Sequence, residues 1–239
     1  MASKTSGKCQ KKIEFKRPDN SEMAPLGYHM VRGHLRICES GTKTWVDEHL
    51  RKNKGRKPKL LKENLLHLYW NSKTRYPQLC SMSDYPKGDD YDDLIQFWFD
   101  YWKSQGIEFP DDLTPDMVKA LIAVESSFSS ESEPPEANSS AAGLMQVTNQ
   151  AMNIMDGYSK DGKWFEMKDN LISVTECDKF DPVVNIAMGT RWLGHKYSQI
   201  PKRYHKNAKS TLIGYHSFDK AGEAYANKVL SELKKACKI

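Results

Sequence analysis

The chain has 239 residues, 38% of them hydrophobic, and a formal net charge of +5. That size allows one large domain, or one domain with a small appendage, and the apolar content can build a core, which excludes a disordered or fibrous chain. No run of 18 apolar residues occurs, which excludes a membrane-spanning helix, and MASKTSGKCQKKIEFKRPDN at the start has basic residues without the apolar stretch of a secretory signal. The five cysteines, Cys9, Cys38, Cys80, Cys177 and Cys237, are odd in number and lack CxxC spacing. Reduced thiols in a cytoplasm are therefore expected, with neither a zinc site nor a full disulfide framework, and no metal or cofactor.

The first segment, 1–59, is basic. Residues 1–68 hold 16 Lys and Arg against 7 Asp and Glu, whereas 69–136 hold 5 against 14. The densest run, RKNKGRKPK at 51–59, has no interleaved aromatics and includes Gly55 and Pro58, so it reads as a solvated linker and nucleic-acid binding is not favoured. Before it, VRGHLR at 31–36 and VDEHLR at 46–51 share the pattern VxxHLR around a turn signal at 40–42. A β-hairpin is expected, with His34 and His49 in similar settings. Two histidines fall short of a zinc ligand set, so the hairpin reads as a small structural or docking element.

Residues 60–110 form a helical lead-in. KLLKENLLHLYW at 59–70 fits one helix, and DYDDLIQFWFDYWKSQG at 90–106 a second, with Leu94, Phe97, Trp98, Tyr101 and Trp102 on one face and Gly106 at its end. That stripe reads as core. The next helix begins at Thr114 as N-cap with Pro115 behind it, and its inward positions Val118, Leu121 and Ile122 lead to Glu125. A carboxyl beside apolar groups has its charged form disfavoured and holds its proton towards neutral pH, which is what a general acid needs.

ESSF at 125–128, AAGLMQV at 141–147, DPVVNIAMGTRWLGHKY at 181–197 and LIGYHSFDKAGEAYANKVL at 212–230 occur in that order. Together they resemble the soluble lytic transglycosylase family, related in fold to goose-type lysozymes, over about residues 112–233. The resemblance implies a mainly α, lysozyme-like helical domain over 111–239, carrying a small basic N-terminal extension. It also implies cleavage of the β-1,4 bond between N-acetylmuramic acid and N-acetylglucosamine in peptidoglycan. By the same resemblance Glu125 is the single acid/base and Tyr215 the tyrosine whose hydroxyl lies near it. Gly143, Met145 and Gln146 belong to the GLMQ segment lining the cleft, with Ser140 just before it and Asn185 in the NIxxG helix. Tyr225, with Lys228, Val229 and Leu230, falls in the closing helix, where packing is the expected role.

Three features depart from the family pattern. Ser140 and Ala141 stand where Gly-Ala is usual, His216 follows Tyr215 where Asn is usual, and the connection SSESEPPEANSS at 129–140 is longer and carries Glu131, Glu133 and Glu136. A hydrolase generally needs a second carboxylate, and goose-type lysozymes have an aspartate near where this chain has Thr148. A transglycosylase giving 1,6-anhydromuramic products is therefore favoured over a hydrolytic muramidase, with the acidic loop as the alternative source of a second carboxylate. An inactive wall-binding module would need the cleft without the acid. With no export signal read at the start, delivery falls to a machine, to phage structure or to lysis. The expectation is an antibacterial effector of a type VI secretion system, or else a phage-associated lysin. Such an effector is made in the cytoplasm, acts in the target periplasm and is met by an immunity protein in its producer.

Overall fold

The computed structural model describes residues 14–37, 41–53, 59–133, 139–158 and 166–238. Strands β1 (Tyr28–Val31), β2 (His34–Ile37), β3 (Lys43–Val46) and β4 (His49–Lys52) form two two-stranded antiparallel sheets, β1 with β4 and β2 with β3, that follow one register along a single ribbon. Val31 lies opposite His49 and His34 opposite Val46, so each copy of VxxHLR pairs crosswise with the other. The two histidines repeat one contact: His34 Nδ1 lies 3.0 Å from the Arg32 carbonyl and His49 Nδ1 2.9 Å from the Asp47 carbonyl. The ribbon thus has four strands and a local two-fold likeness. It is tied down by Asn64, fully buried, whose Nδ2 lies 2.9, 3.0 and 2.8 Å from the carbonyls of Ala24, Pro25 and Tyr28.

The rest is helical. The helices are α1 (Lys62–Trp70), α2 (Asp92–Ser104), α3 (Pro115–Ser126), α4 (Asn149–Met155), α5 (Pro182–Ser198), α6 (Ala208–His216) and α7 (Lys220–Cys237), the mainly α class expected. Local chemistry sets their starts. Thr114, Thr148, Asp181, Asn207 and Asp219 each accept a backbone N–H of the first turn with the side chain. Pro115 and Pro182 occupy first helical positions, where a missing N–H costs nothing. The aromatic stripe of α2 buries Leu94, Trp98 and Trp102 completely, while Phe97 and Tyr101 sit at its margin. Trp102 donates its indole N–H to the Ala187 carbonyl at 2.9 Å, fixing α2 on α5. Helix α5 is buried nearly all round from Pro182 to His195, and α7 lies across α3 and α6. One apolar cluster runs from Met23 to Leu233, so the lead-in helices α1 and α2 share a single core with α3 to α7.

Two features fall outside the sequence reading. Lys119 is buried and lies 2.6 Å from both Asp89 and Asp92, an ion triad in which two carboxylates stand around one ammonium. The thiols are not all reduced: Cys80 and Cys237 form a disulfide, and Cys177 is disulfide-bonded as well. The expectation failed because it rested on local spacing, and Cys80 and Cys237 are 157 residues apart in sequence.

Candidate active site

Glu125 sits in the last turn of α3, where the inward row of Val118, Leu121 and Ile122 ends. The chain then turns sharply. Ser127 and Phe128 both adopt left-handed backbone, at φ 51° and 61°, an arrangement costing non-glycine residues of order 1 kcal/mol each. Burial of Phe128 among Tyr85, Tyr91 and Gly88 offsets that cost and holds the turn beside the acid.

Burial pushes the Glu125 carboxyl up from 4.5 to about 7, against the opposing pull of the Tyr225 hydroxyl and the Lys228 ammonium. Tyr225 donates to Glu125 Oε1 at 2.6 Å. The structure therefore corrects the packing role expected for Tyr225: it is the direct hydrogen-bond partner of the acid. Tyr215, the tyrosine singled out in the sequence, instead donates to the Met145 carbonyl at 2.7 Å. It lies close enough to Glu125 for the carboxylate, after burial, to raise its phenol well above the ordinary value. Burial and Glu125 do the same to Tyr225, so both phenols remain donors across the working pH range. His216, at the family's asparagine position, packs against Tyr225 in a tilted arrangement with ring centroids 5.3 Å apart.

The GLMQ segment is a tight turn closed by paired backbone bonds between Ala142 and Val147. Gly143 has φ 75°, and a Cβ there would collide with the Asn185 side chain and the Lys179 carbonyl. The close approach this glycine permits is thus to the protein itself. Asn185, fully buried, donates to the carbonyls of Ala142 and Lys179 at 2.9 and 2.7 Å and accepts the Met145 N–H at 2.7 Å. Met145 is buried too and packs on Gly189. Of the residues expected to line the cleft, Gly143, Met145 and Asn185 lie beneath its surface as the support of the turn. Gln146, with φ 47°, and Ser140 keep partial exposure. Gln146 Nε2 donates to the Ser132 and Gly143 carbonyls. Ser140 is held from both ends: its hydroxyl accepts the Asn149 N–H and its carbonyl the buried Lys179 ammonium, at 3.0 and 2.6 Å. Lys179 was missed in the sequence, where nothing distinguishes it from a surface lysine.

No second carboxylate among the described residues contributes to the Glu125 shift. Thr148 spends its hydroxyl capping α4, and Glu131 and Glu133 are exposed. Glu136 lies outside the described residues. A separate cavity of about 770 Å³ is lined by Arg191, His195, Glu166 and Tyr101 among others, and neither Glu125 nor the GLMQ turn borders it. Burial and the nearby Arg191 hold His195 down to about 4, so it is neutral there. Cys80, Asp116 and Cys237 come within ligand distance of one another, but sulfurs joined in a disulfide supply no thiolate for a metal.

What the arrangement offers is one carboxyl poised to give and take a proton near neutral pH, one phenol bonded to it from Tyr225, and a second phenol under its influence, Tyr215, that is bonded to the GLMQ turn. A family model described as Transglycosylase SLT domain matches residues 108–235, more than half of the chain and a span running from before α3 into α7. No curated protein and no solved structure matches the chain.

Proposed function

Because the chain belongs to the transglycosylase SLT family, a family of peptidoglycan glycosidases of the lytic transglycosylase type, we propose that it cleaves the MurNAc-β-1,4-GlcNAc bond and leaves 1,6-anhydromuramic ends. The observation that carries this reading is the state of Glu125, raised to about 7 by burial with no described carboxylate contributing to that shift. Protonated Glu125 gives its proton to the glycosidic oxygen as the C1–O bond breaks, and the N-acetyl oxygen of the same muramic acid supports the cationic C1. The Glu125 carboxylate then takes the proton of the 6-hydroxyl, whose oxygen closes on C1. One carboxyl serves both steps, and a tethered nucleophile avoids the entropy of capturing a separate water. Tyr225 steadies the carboxylate between the steps, while Tyr215 and Asn185 hold the turn carrying Gln146.

We propose further that the chain is an antibacterial effector acting in the periplasm of a target cell, delivered by a contact-dependent machine of the type VI kind and opposed by an immunity protein. The Cys80–Cys237 disulfide supports a place of action outside a reducing cytoplasm. One experiment tests both proposals: expression in a bacterium with and without a fused export signal, each with Glu125 intact or as Glu125→Gln. Lysis is expected only for the exported chain with Glu125 intact, and the purified Glu125→Gln protein should lose ~10²–10⁴-fold in sacculus solubilisation. Lysis by exported Glu125→Gln, or by unexported chain, would refute the corresponding half.

A further inference from the structure

Exposed apolar side chains are concentrated on the N-terminal ribbon. Of the large hydrophobics exposed among the described residues, Leu26, Tyr28, Leu35, Ile37, Trp45 and Leu50 lie on or beside it, and Tyr158 alone lies elsewhere. Contiguous exposed apolar surface on a folded protein marks a place of interaction more often than chance. In the β2–β3 register Leu35 stands opposite Trp45 and Ile37 opposite Lys43, so these four side chains share one face. Leu35, Ile37 and Trp45 are 53%, 65% and 62% exposed. Gly33 leads into the row of Leu35 and Ile37, and a Cβ there would stand 3.0 Å from Trp45 Cζ2. The indole is thus braced against bare backbone while most of its surface stays open to solvent.

Charge decides which partner fits this face. Residues 28–52, which span the ribbon, carry five Lys and Arg against three Asp and Glu, with Lys43 on the apolar face itself, whereas 69–136, which include α2 and α3, carry five against fourteen. An anionic partner is drawn to the ribbon, and a second copy of the ribbon is repelled. We propose that the Leu35, Ile37, Trp45 and Lys43 face is an accessory binding site for glycan strands of β-1,4-linked amino sugars that bear carboxylates. The apolar face of a pyranose ring lies on Trp45 with Leu35 and Ile37 alongside, and Lys43 meets a carboxylate. This rests on the peptidoglycan reading above and adds a second hold on the same polymer, which raises the effective concentration of strand at Glu125.

The test is co-sedimentation of the full chain with purified sacculi, using Glu125→Gln so that the polymer persists, alone and combined with Trp45→Ala or Lys43→Glu. Circular dichroism checks that each variant folds. Trp45→Ala should weaken binding by about tenfold or more, the scale of losing an aromatic anchor, and Lys43→Glu should weaken it most at low salt. With Glu125 intact, both variants should solubilise sacculi more slowly yet cleave short soluble glycan at the parental rate. Equal sedimentation of the parent and both variants overturns the site. So does a concentration-dependent dimer abolished by Trp45→Ala, which would assign the face to a second copy. Failure of the peptidoglycan reading looks different: the chain with Glu125 intact would cleave neither sacculi nor soluble glycan.

Discussion

Glu125 is governed by opposing effects on one carboxyl. Burial favours the protonated form, and the Tyr225 hydroxyl with the Lys228 charge favours the carboxylate, leaving the balance at about 7. Since the proposed reaction starts from protonated Glu125, kcat/KM should fall as pH rises through about 7. Tyr225→Phe removes a donor that stabilises the carboxylate, so the carboxyl should hold its proton to higher pH and the alkaline limb should move upward. Tyr215→Phe removes a bond to the Met145 carbonyl instead, and should slow the reaction while leaving that limb in place. A limb moved by Tyr215→Phe and unmoved by Tyr225→Phe would exchange the roles assigned to the two phenols. The apolar setting of Glu125 was legible in the sequence, because an apolar row leading to a glutamate is a local pattern. The sequence did not reveal which tyrosine reaches the acid, since that contact joins residues 100 positions apart on α3 and α7.

Among the elements, two buried asparagines do what no helix propensity records. Asn64 fastens the ribbon to α1, and Asn185 fastens the GLMQ turn to α5. Asn185→Ala would leave the Met145 N–H and the Ala142 and Lys179 carbonyls without that partner, at a cost of about 3 kcal/mol or more. Urea unfolding should register this as a lower midpoint, together with lost activity despite intact Glu125. A change below about 1 kcal/mol would mean that the turn is held by other contacts. Helix starts, the α2 stripe and the strand-forming repeat were legible because each depends on neighbours within a turn or a strand. The burial of Met145 and Asn185 was not: the motif indicated proximity to the cleft, while their fully buried positions come from the packing of α5 under the turn.

In the whole molecule, the covalent link between Cys80 and Cys237 fastens the end of α7, the helix that brings Tyr225 to the acid, to the segment before α2. A bridge across so long a stretch of chain restricts the unfolded state by an amount usually worth about 2–5 kcal/mol. Reduction, or the paired change Cys80→Ser with Cys237→Ser, should lower the thermal midpoint by several degrees in calorimetry and speed proteolysis at the end of α7. An unchanged midpoint would show that packing alone holds the helix. Composition and spacing did not disclose this link, because pairing of scattered cysteines is fixed by tertiary approach alone. The fold class was legible from periodicity and the motif series, while the ribbon's exposed face required the strand register. On the proposed mechanism, function turns on one carboxyl, Glu125, that closes the muramic acid 6-hydroxyl onto C1 with no water-activating carboxylate among the described residues. Mass spectrometry of muropeptides released from purified sacculi reads that step at the bond itself. Ends lighter by one water than lysozyme products and resistant to borohydride are expected; ends that are all reducible would contradict the single-carboxyl mechanism.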